Sequence, residues 1–231
     1  MSISPIAAMF DRISPKYDAL NHLLSLNIDK AWRRKAAKTV AKRHPETILD
    51  LATGTADLAI ALAKRNPQAQ IVGMDIAEKM LEIGKEKVKK LGLDNQIELQ
   101  LGDAASLPFE DCSFDAVTVA FGVRNFEDLE QGLAEIERVL KLGGQAVILE
   151  FSMPHRFPVK QLYRCYFKHL LPKIGRAVSK DPNAYDYLPT SVERFPKPND
   201  FIGIMASHKL TNGHARPLSL GIATLYTATK A

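Results

Sequence analysis

Acidic residues stand at the ends of successive apolar runs in the first half of the chain, and their spacing suits recognition of a nucleoside. The run Ile48-Leu-Asp50-Leu51 passes into Ala52-Thr-Gly-Thr-Ala56 and then an Ala/Leu-rich stretch, the pattern of a strand, a turn of small residues and a helix. Gly54 can take a positive φ or let a ligand approach the backbone. The helix start beyond Thr55 offers unpaired N–H groups and the positive end of a dipole. Asp75 closes the next run, Ile71-Val-Gly-Met-Asp75. It lies close to the roughly 20 residues past a glycine turn at which a ribose-binding carboxylate is expected. Asp103, followed by Ala104, closes a third, where a side chain and a backbone N–H suit the edge of an adenine. No G-x-G-x-x-G is present, because Ala52, Thr53 and Ala56 stand where a pyrophosphate binder would want glycine. A nucleoside with an amino-acid tail, S-adenosyl-L-methionine, fits that departure better than NAD. Each aspartate taken alone also fits a turn or helix cap.

A fourth run ends in Val119-Ala-Phe-Gly-Val-Arg-Asn125, at the edge where a substrate would meet the cofactor. Arg124 presents a rigid fork of donors suited to an oxyanion; Asn125 could orient a ring or cap the following helix. The six histidines show no metal-ligand spacing, and no nucleophile elbow, phosphate loop or catalytic Cys/His pair occurs. Cys112 and Cys165 lack the spacing of a metal or redox motif and read as reduced, structural residues.

With 231 residues, 46% hydrophobic and 25% charged, the chain matches ordinary globular proteins with a substantial core. No apolar run approaches a membrane span and no secretory leader is visible, so a cytoplasmic protein is expected. The net charge of +5 is concentrated in two clusters, Lys30 to Arg43 and Arg156 to Lys180. No nucleic-acid motif accompanies them. Solvated helix faces and an anionic membrane surface both remain open.

Elements must position these residues. Residues 1–46 read as helices, one capped by Asp18 or Asn21 and running through Leu26, the next capped by Asp29 and covering 30–43. From Thr47 the pattern alternates: strand 48–51, helix 57–64, strand 71–75, helix 77–91, strand 97–101, strand 114–120, helix 129–140 closed by Gly143-Gly144, strand 146–151. Near-continuous apolar strands joined by helices imply a doubly wound parallel α/β sheet. Prolines then break residues 152–207 into short helices and turns, and two terminal strands flank Gly221. The single domain expected is thus N-terminal helices (1–46), a cofactor-binding core (47–151), a helical lid and substrate insertion (152–207) and terminal strands (208–231).

Tyr17-Asp-Ala-Leu-Asn21 with Ser25 and Trp32, Phe121-Gly-Val-Arg-Asn125, Arg138-Val-Leu-Lys-Leu-Gly-Gly144 leading to Glu150-Phe-Ser152, and Gly221-Ile-Ala-Thr-Leu-Tyr226 resemble the ubiquinone/menaquinone biosynthesis C-methyltransferases over nearly the whole chain. The resemblance implies the class I S-adenosylmethionine-dependent methyltransferase fold, a Rossmann-like, mostly parallel seven-stranded sheet with a terminal antiparallel strand. It implies methyl transfer to a ring carbon of a polyprenylated quinol by direct displacement at the sulfonium methyl. Ala52-Thr-Gly-Thr55 and the Ile-Ala-Thr-Leu-Tyr ending are most similar to the menaquinone-only members, which implies demethylmenaquinol as acceptor. The family's cofactor contacts fall on Thr55, Asp75, and Asp103 with Ala104; Tyr17, Asp50, Gly54, Ile76 and Ala120 complete the expected cofactor set. Arg124 and Asn125 are the expected catalytic pair, with Arg124 stabilising the oxyanion; Phe121, Tyr163 and Phe167 are expected at the substrate. Three positions depart from the family pattern: Ala56 for a glycine, implying a narrower methionine-tail pocket, Ala120 for a serine, and Asp29 for a histidine.

Residues 157–171 interleave Phe157, Leu162, Tyr163, Tyr166, Phe167, Leu170 and Leu171 with Lys160, Arg164 and Lys168, as a basic amphipathic helix does. That segment offers an apolar groove for an isoprenoid tail and leaves open peripheral membrane association, against a lid helix packed on the core. A homodimer is also left open. Rival readings are a methyltransferase of ubiquinone biosynthesis or of a soluble acceptor, an NAD-dependent oxidoreductase, and a non-catalytic cofactor-binding scaffold in a quinone-synthesis complex.

Overall fold

The structure, a computed structural model, describes residues 4–25, 27–154, 157–158, 160–161, 163 and 183–231. Seven strands, β1 (Thr47–Leu51), β2 (Gln70–Asp75), β3 (Ile97–Leu101), β4 (Phe114–Ala120), β5 (Leu140–Phe151), β6 (Leu210–Leu218) and β7 (Ala223–Lys230), form one sheet in the order β3-β2-β1-β4-β5-β7-β6. The first five pair in parallel, and β7 runs antiparallel between β5 and β6. The expected mostly parallel sheet with an antiparallel terminus is therefore the fold. The described helices are α1 (Pro5–Leu24), α2 (Ile28–Ala41), α3 (Asp57–Ala63), α4 (Glu78–Lys90), α5 (Leu129–Val139), α6 (Asn183–Arg194) and α7 (Pro198–Ser207).

Alternation along the strands builds two apolar layers. Ile48, Ile71, Ala116 and Leu149 pack with Trp32 and Ala37 of α2, Leu58 and Leu62 of α3 and Val88 of α4. Leu49, Val117, Val119 and Ile148 pack with Leu133 and Ile136 of α5 and Phe201 and Met205 of α7. Burial on both faces explains why these strands read as near-continuous apolar runs; each such Leu or Ile contributes about 1.5–3 kcal/mol. The same alternation puts Asp50 and Thr118 on the α2/α3 side and Glu150 on the α5/α7 side. Between β1 and β4 the chain order reverses, so their carboxyl ends form the switch point where open α/β sheets bind ligands.

Several boundaries differ from expectation. α1 begins at Pro5, so Asp18 lies within the helix and does not cap it. α2 begins at Ile28 behind Asn27, whose φ is 59°; Asp29 sits in its first turn, accepting from the Ser25 hydroxyl (2.6 Å) and pairing with Arg33. α5 ends at Val139, capped in front by Asp128, not Asn125, and β5 begins directly at Leu140, so Gly143-Gly144 lies inside a strand rather than closing a helix. β6 starts at Leu210 and is joined to β7 through a short 3-10 turn at Ser219–Gly221. The assignment of 152–207 wholly to a lid also changes. α7 is core, with Phe201 fully buried against Tyr226 at 4.9 Å between ring centroids. Cys112, expected as a reduced, structural residue, is a free thiol and exposed; Cys165 lies outside the described residues.

Candidate active site

The β1–α3 turn keeps a left-handed backbone at alternate positions, Ala52 (φ 50°), Gly54 (φ 56°) and Ala56 (φ 66°). Only one of the three is glycine, so two alanines occupy a region that disfavours a Cβ. Buried side chains over-determine the turn. Asp50, fully buried at the end of β1, accepts the Thr53 hydroxyl at 2.7 Å and the Thr118 hydroxyl at 2.6 Å. Burial pushes the Asp50 carboxyl up to about 6, against the pull of both hydroxyls and Arg33. Asp75 joins the turn to β2 by accepting the Gly54 N–H at 2.7 Å and the Ala77 N–H at 2.9 Å. Burial raises its carboxyl too, opposed by these N–H groups.

A cavity of about 330 Å³ opens over this edge, within the size range of small-molecule sites. Gly54, Asp75, Ile76, Asp103, Ala104 and Ala120 line it from the strand ends, and Phe121 and Asn125 from the turn after β4. α1 closes it with Ile6, Phe10 and Tyr17. That helix is fastened around the cavity: the Ser4 hydroxyl donates to Glu127 (2.5 Å), the Lys79 N–H donates to Asp11 (2.9 Å), and Asp18 accepts from Thr55 (2.6 Å) and Lys87 (2.9 Å). Gly122 is required by close approach, since a Cβ there would lie 2.3 Å from that of Ala52.

The cavity brings together nine expected residues: Tyr17, Gly54, Asp75, Ile76, Asp103, Ala104, Ala120, Phe121 and Asn125. Asp50 and Thr55 sit outside it. They border a minor recess, where Asp50 shapes the turn and Thr55 faces Asp18 and Lys87 (3.1 Å). Tyr163 is buried against Met153, Leu188, Val192 and Ile222, away from this cavity. Phe167 lies outside the described residues, as do Leu162, Tyr166, Leu170 and Leu171 of the expected amphipathic helix; Phe157 is described and is 80% exposed.

Arg124 lines neither space, and the expected outward fork is turned inward. Its Nη1 donates to Glu150 at 2.7 Å and to the Phe121 carbonyl, and its Nε donates to the Ser191 hydroxyl at 3.3 Å. Side-chain exposure in the Arg124–Glu150 pair is 5% and 0%. Glu150 also accepts the Phe151 N–H (2.7 Å) and the Arg124 N–H (3.3 Å); burial nevertheless outweighs these partners and holds its carboxyl above the ordinary range. Asn125 does reach the cavity, and its Oδ1 accepts the Tyr187 hydroxyl at 2.9 Å. Glu150, Tyr187 and Ser191 carried no expected role. Glu150 could have been found, since it ends its apolar run as Asp50 and Asp75 end theirs. Tyr187 and Ser191 give no local signal.

A family model described as the ubiE/COQ5 methyltransferase family matches residues 3–230. The chain belongs to the ubiE/COQ5 methyltransferase family. Among curated relatives of this family, a protein from Bacteroides fragilis named demethylmenaquinone methyltransferase is 48% identical over 225 residues, 97% of this chain and 92% of that protein. One from Geotalea daltonii, named ubiquinone/menaquinone biosynthesis C-methyltransferase, is 46% identical over 97% of this chain and 96% of that protein. A crystal structure of a SAM-dependent methyltransferase from Aquifex aeolicus shares the fold with a TM-score of 0.59 at 19% identity, over 84% of this chain and 89% of that one. The [4+2]-cyclase SpnF shares it with a TM-score of 0.63 at 16% identity, over 100% and 97%. The family requires S-adenosyl-L-methionine, and the cavity's donors and acceptors suit it. Carboxylates at 75 and 103, a turn with glycine-like backbone, and Ile76, Met80 and Phe10 beside them present polar groups at the ends and apolar surface between. Among the described residues no helix is long and apolar enough to cross a membrane.

Proposed function

We propose that the chain is a demethylmenaquinone methyltransferase, moving a methyl group from S-adenosyl-L-methionine to a ring carbon of a polyprenylated demethylmenaquinol. The observation that carries this reading is the 330 Å³ cavity, with Asp75 and Asp103 on its wall and Asn125 at its rim, inside a chain matched end to end by the methyltransferase family. Asp75 holds the ribose hydroxyls, Asp103 and the Ala104 N–H hold the adenine edge, and the Gly54 turn and Tyr17 take the amino-acid tail. When bound, the cofactor supplies an electrophilic methyl on a sulfonium centre. The protein must hold the acceptor carbon in line with that methyl, and positioning of this kind supplies much of an enzyme's rate advantage.

Asn125 is the side chain placed to meet the acceptor ring. The Tyr187 hydroxyl occupies its Oδ1, which leaves Nδ2 to donate to a ring oxygen and favour the anionic ring whose carbon attacks. Arg124 acts through position and charge: it folds the Phe121–Asn125 turn by bonding the Phe121 carbonyl and Glu150. Arginine stays protonated, so it is not assigned as the base.

The test is transfer of radiolabelled methyl to short-chain demethylmenaquinol and demethoxyubiquinol side by side. Transfer to the first, about ten-fold or more over the second, is the expected result. Calorimetric binding of S-adenosyl-L-methionine without transfer to either quinol overturns the proposal in favour of a scaffold, and transfer confined to the second moves it to ubiquinone biosynthesis. Co-sedimentation with anionic liposomes at low salt tests whether the enzyme draws its acceptor from a membrane surface; no binding retires that part.

A further inference from the structure

A second cavity, of about 280 Å³, lies behind the partition that bounds the first. Phe121, which lines the cofactor cavity, stacks on Phe151, which lines the second, with ring centroids 4.4 Å apart and an interplanar angle of 30°. Trp32 packs on both rings, at 6.0 and 6.2 Å, while Arg33 lies over Phe121 and Arg124 over Phe151. Each space is thus lined by one ring of the same stacked aromatic pair.

Most of the described lining of the second cavity is apolar: Phe151 ends β5, Met153 and Pro154 follow it, and Val192, Phe195 and Pro196 come from α6 and the chain beyond it. Among the described lining residues its one hydroxyl, Ser152, is already tied to the Gly221 carbonyl (2.9 Å) and to Thr224 (2.8 Å). Its charged groups, Lys160, Glu193 and Lys197, are on residues that are themselves exposed or partly so. Such a space selects for hydrocarbon, because a polar ligand would lose its hydrogen bonds to water without replacement. Apolar surface continues outward: Phe157, 80% exposed, stands in the chain between Pro154 and Lys160, both of which line the cavity.

We propose that this cavity binds the isoprenoid tail of the methyl acceptor, close to the ring. The inference rests on the quinol reading above. With the ring at Asn125, a rigid ligand could not reach past the Phe121–Phe151 pair, whereas a flexible chain leaving the ring can turn around Phe151 and lie against Val192. α6 links the two events, since Ser191 and Tyr187 hold Arg124 and Asn125 while the adjacent Val192 faces the tail. The tail site therefore falls on α6 and the described residues after β5.

The experiment compares wild type with Val192→Phe and, separately, Met153→Phe, each first shown to keep the wild-type thermal midpoint and cofactor affinity. Loss of burial for two or so methylene groups predicts a KM for demethylmenaquinol bearing a two-unit tail raised about ten-fold. The KM for the tail-less naphthoquinol should stay within about two-fold. Equal effects on both acceptors, or none on either, overturn the assignment. Calorimetry with geraniol, which has the tail and no ring, separates this inference from the reading beneath it. Binding to wild type that both variants lose supports the cavity even if no quinol is methylated. Equal binding to all three proteins, or none, overturns the cavity even if methylation proceeds.

Discussion

Replacing Arg124 with alanine should destabilise the protein by an amount that grows with pH. The wild-type pair is sealed, with side-chain exposure of 5% for Arg124 and 0% for Glu150. Removing one member of a buried ion pair costs about 3–5 kcal/mol, because the remaining charge has lost its partner. Glu150 can escape part of that penalty by taking up a proton. Its carboxyl already stands above its ordinary 4.5 through burial, with Arg124 the foremost influence holding it down. Without Arg124 it rises further. A carboxyl raised in the folded state binds more protons than the unfolded chain, so stability is greatest below 4.5 and falls as pH climbs toward the folded value. The slope is at most about 1.4 kcal/mol per pH unit. The variant has the longer window, so the gap to wild type should approach the full penalty near pH 8 and shrink near pH 5. Urea unfolding followed by far-UV circular dichroism at both pH values measures it, and Arg124→Ala with Glu150→Leu should recover much of the loss. A gap that is flat with pH, or a double variant no better than the single one, would refute the buried-charge argument.

Three further outcomes follow from the same geometry. Tyr187→Phe removes the hydroxyl that fixes the Asn125 amide; kcat should drop about three- to ten-fold with cofactor affinity unchanged, and equal loss of both in steady-state and calorimetric measurements would make the contact merely structural. Gly122→Ala places a Cβ 2.3 Å from that of Ala52 and should cost about 1–3 kcal/mol by overpacking. Adding Ala52→Gly should restore stability, since it removes both the clash and a left-handed alanine; failure of that rescue in thermal unfolding argues against the contact. Lys87→Met frees Asp18, Asp57 (2.5 Å) and Thr55 from their shared ammonium. Stopped-flow should then show faster cofactor release with about 1 kcal/mol or less of stability lost. An unchanged off-rate would mean α1 does not gate the cavity.

The parallel sheet was legible because strands buried on both faces must be apolar over most of their length, and Ile48–Leu51, Ile71–Asp75 and Phe114–Ala120 are, with Asp50, Asp75, Asp115 and Thr118 the interruptions. Asp75, Asp103 and Asn125 were legible for a related reason: each interrupts or ends an apolar run at the edge where ligands bind. The missing glycines pointed correctly away from a pyrophosphate binder but not to the shape of the turn. Ala52 and Ala56 hold the backbone that glycine would favour, and they do so because Thr53 within the turn and Asp50, Thr118 and Asp75 around it fix its shape. That network joins β1, β2 and β4, so no local pattern announces it. Arg124 was misjudged in direction for the same reason. Its identity shows in sequence, but Glu150 arrives 26 residues later and turns the guanidinium inward. The lid was overdrawn because proline content marks breaks in a chain without saying which pieces dock; α7 docks through Phe201 and Met205.

Trp32 is the chain's only tryptophan, and it sits against the Phe121–Phe151 pair with its indole N–H donating to Ser219 at 2.9 Å. Intrinsic fluorescence excited at the indole band therefore comes from a single point in the molecule, beside the aromatic pair shared by the two cavities. Filling either side changes the polarity or packing around that one emitter, so an unlabelled titration distinguishes occupancy at the partition from binding anywhere else.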